Sequence, residues 1–300
     1  MALSPTAEGP VPVAVPRRGR ARRASLARLS LQAWAIVLAV LWLLPFWLLL
    51  ITPMKSVIEY TDGTQWTLPK DPLQIFTNLK EAWNTAGLGP GFVASLLYGT
   101  AGAALAILFG SLGAYAIARL RLRLGFAWFV IVFSGTIFPF QMYLIPLFKR
   151  YTEWGLYDTR LGLIGFYTAI AIPFCLFVMR GFFATIAQEQ QDAARLDGAS
   201  DFRIYWRIFM PQAFGPIAVL FLFQFTWIWN DLLFGLVLAT SDGVRPIMPS
   251  LLGLQGTYAR SGPPIVLAAA LIGSLPTIVL FVALGRYLLR GLALQTGRVR

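Results

Sequence analysis

Long stretches without a single Asp, Glu, Lys or Arg set the layout of this chain. Residues 29–54 are uncharged between Arg28 and Lys55, and their core reads LQAWAIVLAVLWLLPFWLLL. The segment 82–118 is uncharged as well, with its apolar part running from about Phe92 to Ala118. Residues 124–148 form a third stretch, 161–179 a fourth, Ala213 to Leu238 a fifth broken only by Asp231, and 261–285 a sixth. About 20 mostly apolar residues cross the hydrocarbon core of a bilayer. Backbone groups find no water there, so only helices or closed barrels span it. Continuous apolar runs, unlike the alternating pattern of barrel strands, select helices. The pattern predicts an all-α polytopic membrane protein with six transmembrane helices. Pro139, Pro146, Pro173, Pro216 and Pro276 are expected to kink them.

Composition agrees. Of 300 residues, 57% are apolar and 13% charged, against roughly 25% charged in soluble domains. The chain holds no His and one Cys. Ser-His-Asp catalysis, His-ligated zinc, imidazole relays and an intrachain disulfide are thereby excluded within it. Cys175, in AIAIPFCLFVM, reads as a small buried hydrophobe. The net charge of +12 could suggest nucleic acid, but the distribution of the arginines says otherwise. With the N-terminus in the cytoplasm, seventeen of the 25 basic residues fall on the inside, as the positive-inside rule requires. The charge is a topology signal, and it places both termini in the cytoplasm of a cell-membrane protein.

Residues 1–30 are rich in Pro, Ala and Arg and read as a disordered basic tail. Residues 31–290 form the six-helix domain and 291–300 a cytoplasmic tail. The apolar run after residue 30 is too long for a signal-peptide core, so an uncleaved first span is expected. The outside segments 55–90 and 240–263 have room for short helices.

One inside loop is long: RGFFATIAQEQQDAARLDGASDFRIYWRIFMPQ, residues 180–212. Thr185 followed by Gln188 fits a capping box that opens a helix. Gly198 falls where a helix end needs a left-handed residue. Ser200 or Asp201 can cap a second helix. There Phe202, Tyr205, Trp206 and Phe209 fall on one amphipathic face, and Pro211 closes the unit. Two short helices meeting at a glycine corner read either as a surface hairpin lying at the headgroups or as a docking knob whose Asp192 and Asp197 pair with a partner's arginines.

The spacing resembles the EAA motif of ABC importer permeases, E-A-A, three residues, Gly, nine residues, then I-x-L-P. Asp192-Ala193-Ala194 is followed by Gly198 and, after nine residues, by Ile208-Phe209-Met210-Pro211. Asp192 stands for the usual Glu and Met210 for the usual Leu, while Asp197-Gly198-Ala199 also fits. The resemblance extends from about Leu31 to Arg300. It is nearest to carbohydrate-type permeases, in particular the shorter subunit of the maltose-type pair. GAYAIARL (113–120), FPFQMYLIPLF (138–148), MRGFF (179–183), WNDLLF (229–234) and RYLLRGL (286–292) support it. Such a subunit pairs with a second, homologous permease, sits on two ATPase subunits, and receives sugar from an extracytoplasmic solute-binding protein. The resemblance implies that the loop 184–212 is the ATPase-coupling loop. The outside segments would face the binding protein.

The chain lacks G-x-x-x-x-G-K-[ST], so ATP and Mg belong to partner subunits and this chain carries no cofactor of its own. Candidates for a substrate path are Gln141, Tyr143, Gln224, Trp227, Trp229, Asn230 and Asp231. Rings stack on sugar faces, and amides fix hydroxyls. Asp231, an acid within a span, reads as a path residue or as a structural group near a helix end. An ion-driven secondary transporter is the alternative class, but it wants more intramembrane acids or His. An ABC permease for a non-sugar solute is a second alternative. No cluster of nucleophiles or metal ligands suggests an enzyme.

Overall fold

A computed structural model describes residues 18–120, 122–255 and 261–296. The described residues are helical throughout their regular structure, with no strand among them. The chain divides into two compact units, residues 1–51 and 52–300.

In the first unit, α1 (Arg18–Ile51) runs unbroken. It begins inside the segment expected to be a disordered tail. Residues 20–32 are dominated by Arg, Ala and Leu, all strong helix formers, and contain neither Gly nor Pro. The helix therefore propagates outward from the apolar stretch. Residues 1–17 of the expected tail lie outside the described residues.

The second unit holds α2 (Val57–Asp62), α3 (Gln74–Thr85), α4 (Leu88–Arg119), α5 (Gly125–Ser134), α6 (Leu144–Glu153), α7 (Arg160–Thr185) and α8 (Gln188–Leu196). It continues with α9 (Asp201–Ile204), a π-helical stretch (Tyr205–Phe209), α10 (Met210–Gln212), α11 (Phe214–Trp229), α12 (Leu233–Leu238), α13 (Ile247–Leu252) and α14 (Pro263–Thr296). The last helix extends through residues 291–296 of the expected C-terminal tail. Residues 297–300 lie outside the described residues.

Among the described residues, four segments are long and apolar enough to cross a membrane: Arg28–Met54, Leu88–Arg119, Arg160–Thr185 and Pro263–Tyr287. A fifth arises if Asp201–Gln212 and Phe214–Trp229, bent by 76°, count as one. The third expected span is not a continuous helix. It comprises the 10-residue α5, a 3-10 turn at Phe140–Tyr143, and α6. Gly135 caps α5. Pro139 then lacks the N–H a helix needs and disfavours helical geometry at Phe138. The proline expectation is corrected in the same way. Pro173 and Pro276 do lie inside helices. Pro146 and Pro216 sit in first turns, where a missing N–H breaks no helical bond.

Within this unit α4 packs along α7 and against α11, α11 packs on α14, and α14 on α3. Gly110 makes the α4–α7 approach possible. A Cβ there would lie 2.7 Å from Cys175 Cβ and 2.9 Å from Leu176 N. Small residues at a helix interface are how membrane helices gain packing contacts without a hydrophobic driving force. Cys175 is fully buried in that contact. Two apolar cores result. One gathers Tyr98, Tyr167, Phe225, Trp229, Phe234 and Ile247. The other joins the far ends of α4 and α7 (Tyr115, Met179, Phe183) to Ile204, Tyr205 and Phe209.

Candidate functional site

The segment 185–212 folds as a corner. Helix α8 ends at Leu196, Gly198 takes φ +76°, and the Ser200 hydroxyl caps α9 by accepting from Arg203 N–H. A left-handed residue at that place stops the helix and turns the chain. Arg195 Nη2 pairs with Asp201 Oδ1 at 2.8 Å and ties the two arms across the corner. The hydrogen bond that Arg195 donates to the Asp201 carboxylate raises the Arg195 pKa. The expected capping box at Thr185 is not formed. Helix α7 runs through Thr185, whose hydroxyl donates back to Phe182 O, and α8 starts after Ala187 without a side-chain cap.

The outer face of the corner is exposed at Asp192, Ala193, Asp197 and Gly198, with Leu196 90% exposed at its tip. Ala194, Ala199, Ile208 and Met210 are half-buried, and Pro211, exposed, opens the short helix α10 instead of ending the unit. Asp192 accepts from Gln188 Nε2 at 3.1 Å. The expected aromatic face divides. Tyr205 and Phe209 are buried, while Phe202 and Trp206 are exposed. The π winding over 205–209 changes the angular step between side chains, so spacing by 3.6 no longer predicts a shared face.

Beneath the corner lies a set of residues that sequence reasoning missed. The Ser111 and Tyr205 hydroxyls are 2.7 Å apart in a hydrogen bond. Tyr115 lies 5.0 Å from the Phe209 ring and 5.4 Å from Tyr205, centroid to centroid. Arg119 Nη1 donates to Gln188 Oε1 at 2.9 Å, Nη2 donates to the carbonyls of Phe183 and Ile186, and its guanidinium lies 5.0 Å from the centre of the Phe209 ring. The available signal was the segment SLGAYAIARL (111–120), which places Ser111, Tyr115 and Arg119 at helical intervals of four.

A second feature is a cleft of about 750 Å³ lined by Thr136, Phe140, Tyr143, Gln224 and Trp227, with Arg150 and Trp154 among the other lining residues. Three sequence candidates therefore meet. Tyr143 donates to Gly135 O at 3.1 Å, holding the non-helical turn at the wall. Trp227 lies edge-on to Phe140 and Tyr167. Gln141 is exposed and does not line the cleft.

Of the remaining candidates, Trp229 and Asp231 tie helices together and Asn230 closes its own. Trp229, fully buried, donates from Nε1 to Gly273 O on α14 at 2.7 Å. Asn230 Nδ2 donates to Thr226 O at 2.7 Å, closing α11. Asp231 Oδ2 accepts from Tyr167 OH at 2.9 Å and from Gly235 N–H at 3.0 Å, which opens α12.

The loop after α12 is clamped from below. Asp158, at φ 53°, accepts from Thr240 N–H at 2.8 Å, Ser241 N–H at 3.0 Å and the Ser241 hydroxyl. Burial pushes its carboxyl upward, but the hydrogen bonds from Ser241 and Thr240 outweigh that and hold its pKa below the usual value. Arg160 donates twice to Gly243 O, Tyr98 OH donates to Val244 O at 2.7 Å, and Ile247 N–H donates to Ser95 Oγ at 2.8 Å.

Comparison with known proteins follows the same lines. Residues 106–293 match the family described as binding-protein-dependent transport system inner membrane component. The melibiose/raffinose/stachyose import permease protein MelC of Bacillus subtilis (strain 168) is 34% identical over 275 residues, covering 91% of this chain and 98% of the relative. The alpha-glucoside transport system permease protein AglG of Rhizobium meliloti (strain 1021) is 32% identical over 232 residues, 75% of this chain and 61% of the relative. In fold, the chain is similar to the crystal structure of a bacterial ABC transporter involved in the import of the acidic polysaccharide alginate, with a TM-score of 0.74 and 22% identity over 92% of this chain and 99% of that one. With the family match spanning well over half of its length, this chain belongs to the family of binding-protein-dependent transport system inner membrane components.

Proposed function

We infer that this chain is one of two homologous permease subunits of an ABC importer that carries a carbohydrate into the cytoplasm, with ATP hydrolysed on separate subunits. The corner at Gly198 carries the reading. It presents Asp192, Asp197 and Leu196 outward while its underside is locked to the ends of α4 and α7. At the corner itself, residues 192–198, that arrangement suits a knob seated in an ATPase groove, because Asp192, Ala193, Asp197 and Gly198 turn small or acidic groups outward there. The residues matching the motif, Asp192, Ala193, Ala194, Asp197, Gly198, Ala199, Ile208, Met210 and Pro211, form the coupling loop.

The reading includes six crossings with both termini cytoplasmic. The third crossing is 125–153, broken at 135–143. Ten residues of α5 rise only about 15 Å. Irregular backbone at membrane depth is tolerated where it is buried in protein or lines a cavity, and Gly135 and Thr136 line the cleft. Tyr143, Gln224 and Trp227 are thereby the residues of this chain that a sugar meets. The named specificities of MelC and AglG support a carbohydrate as cargo.

The test is co-purification. A tagged chain extracted in mild detergent should bring down, in stoichiometric amounts, a second chain of the same family and an ATPase with a phosphate-binding loop. Purification alone, with transport in vesicles lacking ATP, would overturn the reading in favour of a gradient-driven carrier.

A further inference from the structure

We propose that Arg119 is the positioning residue that makes the corner, the end of α4 and the end of α7 move as one body. The proposal rests on the reading of the corner as the ATPase-coupling loop. Arg119 is the last residue of α4 and is 7% exposed. Its partners come from three other places: the Gln188 side chain at the start of α8, the Phe183 and Ile186 carbonyls at the end of α7, and the Phe209 ring in the π stretch.

The chemistry explains why an arginine stands there. The last carbonyls of a helix lack partners within it and carry the negative end of its dipole. A guanidinium holds several acceptors in a fixed planar fork and stacks on a ring at the same time, whereas an ammonium offers a point charge on a flexible stem. No salt bridge to Arg119 is formed among the described residues, so its charge is met by carbonyls, an amide and a ring. Ser111 and Tyr115, at successive intervals of four along α4, both hold the 205–209 stretch, and Tyr115 also lies edge-on to the Phe183 ring of α7 at 6.3 Å. Of the three, Arg119 is the one that hydrogen-bonds the end of α7 and the start of α8. Without it, the start of α8 would lose its polar tie to the packed ends of α4 and α7, and ATP hydrolysis would continue without moving cargo in step.

The test uses the whole importer in proteoliposomes, with labelled melibiose, raffinose and an α-glucoside as probes. For Arg119→Met, ATP hydrolysis should stay within about twofold of the parent while sugar moved per ATP falls about tenfold, a size typical of coupling between sites. Arg119→Lys should recover part of the ratio. A second measurement needs no sugar. Spin labels at Leu196→Cys and Leu122→Cys, in a Cys175→Ser background, should give a narrow distance distribution in the parent and a broad one with Arg119→Met. An unchanged sugar-per-ATP ratio, or a narrow label distribution in Arg119→Met, overturns the proposal. If the parent complex hydrolyses ATP but moves none of the three sugars, the carbohydrate reading is what fails, and the label distances still decide the role of Arg119.

Discussion

The hydroxyl of Tyr167 donates to Oδ2 of Asp231 at 2.9 Å, and the same oxygen accepts from Gly235 N–H at 3.0 Å. One carboxylate oxygen thus fastens the first third of α7 to the start of α12. An acid inside an apolar stretch is a functional candidate by default, but here its hydrogen bonds make it a fastener. Removing one partner of a buried polar group costs about 1–3 kcal/mol. Tyr167→Phe should lower thermal stability in detergent by that amount and leave the apparent KM for sugar nearly unchanged. A large rise in KM at unchanged stability would instead put Asp231 on the substrate path.

Gly198 stands at φ +76° with open space where a Cβ would go. The cost of substitution is therefore conformational, about 1–2 kcal/mol for an L-residue held in left-handed geometry. Gly198→Asp should leave insertion in the membrane intact and abolish transport, as read by surface labelling alongside uptake. Normal uptake by that variant would remove the corner from the coupling pathway.

The α4–α7 seam makes a sharper demand. At Gly110 the added Cβ meets the backbone at Leu176 N as well as Cys175. Gly110→Ala should destabilise by about 1–3 kcal/mol, the usual effect of overpacking. Gly181, where a Cβ meets nothing within 4 Å, serves as the control, and Gly181→Ala should be neutral or mildly stabilising in the same melting experiment.

Asp158 gives a pH dependence. Its carboxyl is held below the usual value in the folded chain. Stability from the clamp is therefore fully present above the unfolded value, about pH 4, and is lost as pH falls through the lower folded value. Pepsin cleavage within 239–246 should rise over that acidic window in the parent. With Asp158→Asn, which removes the charge, cleavage should be rapid already at the upper end of the window.

At the cleft, Trp227→Ala should raise the apparent KM for sugar while ATP hydrolysis in the absence of binding protein is unchanged. Gln141→Ala, outside the lining, should leave KM as it was. Equal effects of the two changes would separate the cleft from the sugar.

Much of this was legible in the residues. Gly198 and Ser200 could be placed because a left-handed turn and an N-cap each demand particular residue types. The helices α4, α7 and α14 followed from apolar length alone. The break at 135–139 was visible in Gly135 and Pro139, yet a count of charges cannot see a helix interrupted by backbone chemistry. The division of the 202–209 aromatics depends on π winding, which has no sequence signature at this length. Thr185 fitted a capping box, but α7 simply continued through it. Trp229 and Asp231 could be read as ligand chemistry, because the partners they bond, Gly273 and Tyr167, become neighbours only when the helices assemble.

The bonds from Tyr98 to Val244 and from Ile247 to Ser95 join residues 146 and 152 positions apart. During synthesis, α4 is complete long before the loop that satisfies its hydroxyls has been made. At about 5–20 residues per second, that interval is on the order of ten seconds. Through it, Ser95 and Tyr98 must hold provisional partners such as water, lipid headgroups or an insertion chaperone. A chain arrested before residue 244 would keep them there, and it should be recognised by quality-control proteases as a helix whose polar groups were never claimed.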